Sequence, residues 1–364
     1  MVDLPLVLKV LEDIAPTRLA QSWDNVGLLV GDPARTIAAA FLCVDYTPAT
    51  AAEARAMGCD LVVAYHPPIF HPIKRLTAPS LIFDAIEQRI AIYSPHTALD
   101  VADGGTNDML ADALGLADRR PLRTSSATPT QCKLIVFVPP DHADAVAKAI
   151  FDAGAGQIGD YSCCSFRSPG VGTFFGRQGA NPAVGQAGRL ERVDELRLET
   201  LVPLDRVTQV VGAMRSVHPY EEPAFDLVQL APLPAGVGIG RIGRFDRPVA
   251  TRDLIERVKR ELGLSHLLVA GPTDGQIATA ACAAGACGDL LDDALRQRAW
   301  LYLTGELRHH DALRAAHSGM TVVCTLHSNS ERAVLKRLAT RLAAAVPQIA
   351  VHVSQADRDP FNVV

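Results

Sequence analysis

The sequence predicts an α/β fold: a parallel or mixed sheet covered by helices on both faces, interrupted by a smaller inserted domain. Three observations carry that prediction. Short, continuously apolar runs alternate with helical segments over 37–116, as strands buried on both faces do. The same texture returns beyond position 238. Between them lies a stretch with another order of elements. It is bounded by LRTSSATPT (122–130) and APLPAGVG (231–238), whose Ser, Thr, Pro and Gly content marks breaks between domains.

In the first part, IAAAFLCV (37–44) reads as a buried strand and TPATAAEARAMG (47–58) as a helix ending at Gly58. DLVVA (60–64) is a second strand, PSLIFDAIEQR (79–89) a second helix and IAIYS (90–94) a third strand. In the middle, CKLIVFVP (132–139) is a strand, DHADAVAKAIFDAG (141–154) a helix, and CCSFRS with VGTFFG a hairpin around Pro169-Gly170. ELRLETLVP (195–203), LDRVTQVVGAMRSV (204–217) and AFDLVQL (224–230) complete a β-α-β-β-(β)-α-β order close to a ferredoxin-like unit. In the last part, RDLIERVKREL (252–262), DLLDDALRQR (289–298) and SERAVLKRLATRLAAA (330–345) are helices, and IATAAC (277–282), WLYL (300–303) and TVVCTL (321–326) are strands. The expected domains are therefore 1–125, an insert at 126–236, and 237–364.

Composition narrows the function classes. The 364 residues are 48% hydrophobic and 21% charged, ordinary for a globular chain of about two or three domains. A net charge of -5 without a basic block gives no phosphate-tracking surface, so nucleic acid is not an expected partner. None of the eight cysteines forms a C-x-x-C pair, which argues against a cysteine-built zinc site. No signal-peptide pattern opens the chain and no apolar run approaches a membrane span, so the expected compartment is the cytoplasm.

In open α/β sheets, functional side chains gather just past the carboxyl ends of the strands. Here DLVVA leads to Tyr65-His66, IAIYS to His96 with Asp100 four positions on, and WLYL to Glu306 and His309-His310-Asp311. TVVCTL leads to His327 with Glu331 four positions on, and AAAFLCV to Asp45. Imidazole with carboxylate suits divalent zinc, iron, manganese, cobalt or nickel, and a carboxylate can bridge two ions. Each fragment also has a purely structural reading. Asp100 is placed as a turn residue before Gly104-Gly105, and Ser328 with Glu331 has the spacing of a helix capping box. GIGRIG (238–243) has a dinucleotide-loop spacing but no strand leading into it and no helix directly after it. GACGD (285–289) reads as a strand-to-helix turn, with anion binding as the alternative. A Ser or Cys nucleophile lacks both a G-x-S-x-G motif and a neighbouring histidine.

SWDNVGLLVGD (22–32), AYHPPIF (64–70), SPHTALDVADGGTNDMLADALGL (94–116), LTGELRHHDAL (303–313) and LHSNSERAVL (326–335) together resemble the NGG-one-interacting-factor-three-like family. Some members of that family are described as GTP cyclohydrolase I type 2. DYSCCSFRSPGVGTFFG (160–176) and HPYEEPAFDL (218–227) are similar to the insert of its longer members, and SQADRDPFNVV (354–364) to the tail of the eukaryote-type ones. The resemblance implies two similar α/β lobes around a dinuclear metal centre, a PII- or CutA-like insert, and a toroidal homohexamer. It places metal ligands at His66, Asp100, His327 and Glu331, with Asp100 as the bridging carboxylate and His96 and His310 close by. Tyr65 stands where the common bacterial motif has a first histidine, which implies one strong and one partly filled position.

The expected function is metal-dependent hydrolysis of a small, nucleotide-like substrate by metal-activated water, with Glu306 or His310 moving the proton. The alternative is a non-catalytic regulatory, metal-sensing or scaffold protein. GTP cyclohydrolase activity itself is not expected, because nothing in the sequence reads a guanine base.

Overall fold

The computed structural model describes residues 1–126, 131–230 and 234–362. It divides into two compact units, Met1–Ser125 with Ala235–Val364, and Ser126–Pro234. The first holds the strand-end histidines and acids.

Two main sheets form the larger unit. In one, strands Ala39–Cys43, Leu61–Ala64 and Ala91–Ser94 run parallel side by side, and Gly27–Val30 closes the edge antiparallel to Ala91–Ser94. In the other, Gln276–Ala283, Leu301–Thr304 and Thr321–Cys324 run parallel, and Leu268–Ala270 lies antiparallel to Thr321–Cys324. Each lobe is thus a three-strand parallel ladder whose third strand takes an antiparallel edge partner. The lobes also exchange their ends. Ala350–Val353, near the end of the chain, pairs in parallel with Ala39–Cys43, while Ala117–Ser126 joins the sheet of the second lobe.

Continuous apolarity in these strands has a direct cause, since both faces of both sheets are covered. Leu42, Leu61 and Val63 pack against the helices Leu4–Ile14 and Val334–Ala345, through Leu4, Leu11, Leu338 and Leu342. Alternate residues Phe41, Val62 and Ile92 face Ala51, Ala54, Ile82 and Ala85 of helices Pro48–Ala56 and Leu81–Glu87. The second sheet repeats the scheme. Cys282, Leu301 and Leu303 meet Leu110, Leu114, Leu254 and Val258, and Ala281, Tyr302 and Val322 meet Leu291, Ala294 and Ala315.

One buried ion pair binds the two chain segments of this unit. Arg241 donates from Nε to Asp108 Oδ1 at 2.6 Å and from Nη2 to Asp108 Oδ2 at 3.1 Å, and its Nη1 serves the carbonyls of Gly238 and Gly240. GIGRIG is accordingly part of strand Pro234–Ala250, not a nucleotide loop.

The smaller unit has strand Gln131–Val138, helix Ala143–Asp152, strands Ser165–Phe175 and Leu190–Pro203, helix Val207–Val217 and strand Phe225–Gln229. Its four-stranded antiparallel sheet is ordered fourth, first, third, second, and its helices pack on one face through Val146, Ile150, Val210 and Met214. This is a βαββαβ unit. The hairpin expected around Pro169-Gly170 is not there. Those residues lie inside one strand, opposite Leu196 and Glu195. That strand is at the edge of the sheet, where the missing N–H of proline leaves no ladder bond unmade, so the turn-forming pair stays extended. The two boundary stretches differ from expectation as well. Residues 122–126 and 234–238 lie in strands, and 127–130 and 231–233 fall outside the described residues.

Candidate metal centre

The ladder between Ala39–Cys43 and Leu61–Ala64 continues beyond the formal strands: Tyr65 and His66 donate their N–H groups to the carbonyls of Cys43 and Val44, at 2.8 and 2.9 Å. Those bonds fix Tyr65 pointing into the core, 1% exposed, and His66 toward the rim. At the third strand of each lobe the chain turns through a left-handed residue that is not glycine, His96 at φ 29° and Leu326 at φ 70°. Such strain persists only where the surroundings enforce it. A short helix follows in each lobe, His96–Val101 and Asn329–Arg332, so the pair His96 and Asp100 in one lobe repeats His327 and Glu331 in the other.

The two lobes meet at Glu331. His66 Nε2 lies 3.1 Å from Glu331 Oε2, and His327 Nε2 lies 3.3 Å from Oε1. The Glu331 carboxylate is 3% exposed, and Oε2 has no partner with hydrogen-bond geometry. A capping role for Glu331 is therefore excluded: Ser328 accepts no cap bond, and its hydroxyl donates to Asp359 at 2.8 Å. Gly285 completes the cradle. At φ 71°, its backbone passes so close that an added Cβ would stand 3.0 Å from Glu331 Oε1 and 3.4 Å from His327 Nε2. The turn in GACGD thus makes room for the acid and the imidazole.

Each histidine is oriented by an acid on its other nitrogen. Asp45 sits 2.9 Å from His66 Nδ1, Glu306 2.7 Å from His327 Nδ1, and Asp24 2.7 Å from His96 Nδ1. An acid at Nδ1 places the proton there and leaves Nε2 free to bind a metal, which is the arrangement found behind metal-ligating histidines. Asp45 and Glu306 both follow strand ends that sequence alone picks out; Asp24 meets His96 from 72 positions away along the chain, a contact no local pattern shows.

Charge follows the geometry. Burial opposes a proton on His66, but its bond to Asp45 and the nearby carboxylates of Glu331 and Asp45 override it and raise its pKa to about 10. The close approach of the Glu331 carboxylate raises His327 to about 9. Burial works to raise Glu331, yet the two imidazoles hold it below its ordinary value. Burial lifts Asp100 to about 6, helped by the charge of Glu331. Burial also keeps the Tyr65 proton in place, and its hydroxyl donates to Asp100 and lies 3.1 Å from Thr106 Oγ1.

The residues expected at the site separate into four groups. His66, His327 and Glu331 converge, their ligand atoms within 4.8 Å of one another. His96 borders them, its ring 5.5 Å from that of His66, and Tyr65 stands 6.0 Å from His96. Asp100, 8% exposed, lies beneath, bound to Tyr65 rather than to the three. Glu306 is engaged with His327, and His310 is exposed on helix His309–His317 beside His309.

The donor set fits a divalent ion. Two neutral imidazole nitrogens and a carboxylate suit zinc and its first-row neighbours. Their separations of 3.1 and 3.3 Å resemble the about 3.3 Å between ligand atoms on one tetrahedral ion with bonds of about 2 Å. The bond-less, buried Oε2 of Glu331 is the kind of group that an ion satisfies.

The family model for Duf34/NIF3 (NGG1p interacting factor 3) matches residues 2–360. The chain is 35% identical to the GTP cyclohydrolase 1 type 2 homolog of Halalkalibacterium halodurans, over 98% of this chain and 98% of that one. It is 34% identical to the NIF3-like protein 1 of Bos taurus, over 100% and 93%. Among solved structures, the Bacillus cereus protein related to NIF3 matches 98% of each chain at 34% identity with a TM-score of 0.68. With the family model spanning nearly every residue and relatives of this identity matched end to end, the chain belongs to the DUF34/NIF3 family.

Proposed function

We propose that this protein is a divalent-metal-dependent hydrolase of a small substrate, with His66, His327 and Glu331 holding the ion. One observation carries the reading. Imidazoles from two different sheets offer Nε2 to the two oxygens of one buried carboxylate, and an acid behind each ring holds it in the metal-binding tautomer. An ion bound there supplies a Lewis acid and lowers the pKa of water it holds. The protein's own groups do the rest. Asp45 and Glu306 position the imidazoles, and Gly285 leaves the carboxylate room. With His66 23% and His327 39% exposed, the centre is open to a solute. Glu306, half exposed, and His310 on the neighbouring helix are the groups proposed to carry the proton away.

A second ion belongs to the same proposal, on the His96 and Asp100 side, where the lobe repeat places the counterparts of His327 and Glu331. Tyr65 occupies the remaining corner as a protonated phenol, so this position is the weaker one. A toroidal homohexamer, a PII- or CutA-like identity for the βαββαβ insert, and a cytoplasmic location complete the reading. Among the described residues no helix is long and apolar enough to cross a membrane. The regulatory alternative has its own support. Within its own residues the insert has a cavity of about 640 Å³ bordered by Phe137, Phe174, Glu195, Arg197 and Tyr220, a size that suits a small effector.

The test is a turnover screen. Protein loaded in turn with zinc, manganese, iron, cobalt and nickel is offered phosphoesters, cyclic nucleotides and GTP. Hydrolysis that disappears in His327→Ala is the expected result. A loaded protein that leaves the whole panel unchanged removes the hydrolase reading and leaves the regulatory one.

A further inference from the structure

The wall on the His96 side of the centre is made by three consecutive residues with three different tasks. The Asp24 carboxylate, fully buried, takes His96 Nδ1 at 2.7 Å and the Thr97 N–H at 3.1 Å. Asn25 donates from Nδ2 to the Ile69 carbonyl at 2.6 Å and so ties down the backbone next to Phe70. Trp23 fills no place in the interior: it is 59% exposed, and Phe70 is 42% exposed. The two rings nevertheless meet, with centroids 5.9 Å apart and planes tilted by 53°. Both reach His96, at 6.1 and 6.5 Å, and His96 in turn lies 5.5 Å from His66.

A single exposed aromatic ring is ordinary, because folded surfaces carry much apolar area. Two touching rings, each next in the chain to a residue fixed by a part-buried polar contact and adjoining a set of convergent ionisable groups, are a different matter. The fold leaves the indole in water although a bulky ring gains most from burial. It lies one ring, His96, away from His66.

We propose that Trp23 and Phe70 form an aromatic platform on which a planar heteroaromatic ring stacks while the rest of the same molecule reaches the metal centre. The inference rests on the reading of His66, His327 and Glu331 as the working centre and names the class of substrate it takes. A flat π-face accepts a flat ring whatever its edge pattern. The 53° tilt favours a ring lying face-on to one partner and edge-on to the other rather than sandwiched between both. Purine and pyrimidine rings are therefore both accepted, and a bare sugar is not.

Tryptophans 23 and 300 are the only two in the chain, so Trp300→Phe leaves Trp23 as the sole indole reporter. Zinc-loaded W300F is titrated with adenosine, cytidine and ribose while indole fluorescence is followed, and zinc is measured by elemental analysis. Saturable quenching by both nucleosides, and none by ribose, is the expected result. Phe70→Ala weakens the quenching titration, and Trp23→Ala, followed by equilibrium dialysis of labelled adenosine, weakens binding, each by roughly tenfold or more. Trp23→Phe restores part of that loss, and all three variants keep their zinc. Intact zinc with no quenching, equal quenching by ribose, or unchanged adenosine binding in W23A overturns the platform. A W23A variant that changes the oligomeric state but binds adenosine normally also overturns it, because the rings are then a contact between copies. Quenching that depends on Phe70 in protein that takes up no zinc leaves the platform standing and overturns the reading of the centre.

Discussion

His66 and His327 come from different sheets, yet they face the two oxygens of the same carboxylate, at 3.1 and 3.3 Å from Glu331. The two lobes are therefore joined at their chemistry. Glu331→Gln keeps the volume and loses the charge, and zinc affinity measured with a competing chelator is expected to fall by at least tenfold. Undiminished affinity would mean that the ion sits elsewhere.

The acids behind the rings are the next prediction. Asp45→Asn and Glu306→Gln leave the ligand atoms untouched but remove the acceptors that fix Nδ1–H. Each is expected to lower metal affinity by roughly 10–100-fold. The same chelator competition reads this out, and a proposed proton carrier at Glu306 adds a loss of turnover beyond the loss of metal.

The pH dependence has a definite sign. With metal stripped, folding raises His66 to about 10 and His327 to about 9, above the ordinary 6.5. Their ion pairs with Glu331 stabilise the fold fully below that ordinary value, and the contribution is lost as pH rises through about 9 and 10. Thermal melts of chelator-treated protein are expected to fall across that window, and less so in a His66→Gln, His327→Gln double variant. Metal binding reverses the trend, because the ion displaces those protons: affinity rises with pH, and loading near neutrality releases protons that a weakly buffered solution registers.

Tyr65 tests the second position. Tyr65→His exchanges a phenol bound to Asp100 for a ring nitrogen at the end of the same strand. Bound metal per chain is expected to increase, as counted by elemental analysis. Tyr65→Phe leaves Asp100 buried without its donor and lowers stability by about 1–3 kcal/mol, read from denaturant unfolding.

Arg241 carries a prediction about the fold alone. Arg241→Met removes the two-bond partner of the buried Asp108 carboxylate and leaves it only the Gly104 N–H and the longer contact with Arg119, so a loss of about 3 kcal/mol, the low end for half-removed buried pairs, is expected. Replacing both partners with apolar residues recovers much of it, as a double-mutant cycle in urea would show.

Much of this was legible in the sequence because strand ends announce themselves. Continuous apolar runs located Leu61–Ala64 and Thr321–Cys324, and the polar residues directly after them included His66, His327 and Glu331. Periodicity reads only neighbours along the chain, so contacts made by the fold stayed hidden. Asp24 meets a histidine 72 positions away, and Gly285 earns its place only beside Glu331. Helix Val334–Ala345 and strand Ala350–Val353 follow the second lobe's strands in the chain yet pack on and pair with the sheet of the first, which no local pattern encodes. Pro169-Gly170 misled for the opposite reason: a strong local turn signal was overridden by an edge position in a sheet. The capping spacing of Ser328 and Glu331 was real in sequence, but two imidazoles outcompeted the backbone N–H for the carboxylate.

An ion bound between the lobes is seen by anomalous scattering from crystals of protein purified without a chelating column. A peak within bonding distance of His66 Nε2, His327 Nε2 and the Glu331 carboxylate, lost in Glu331→Gln, is the expected result. Crystals soaked in zinc or manganese that show no peak there would contradict it.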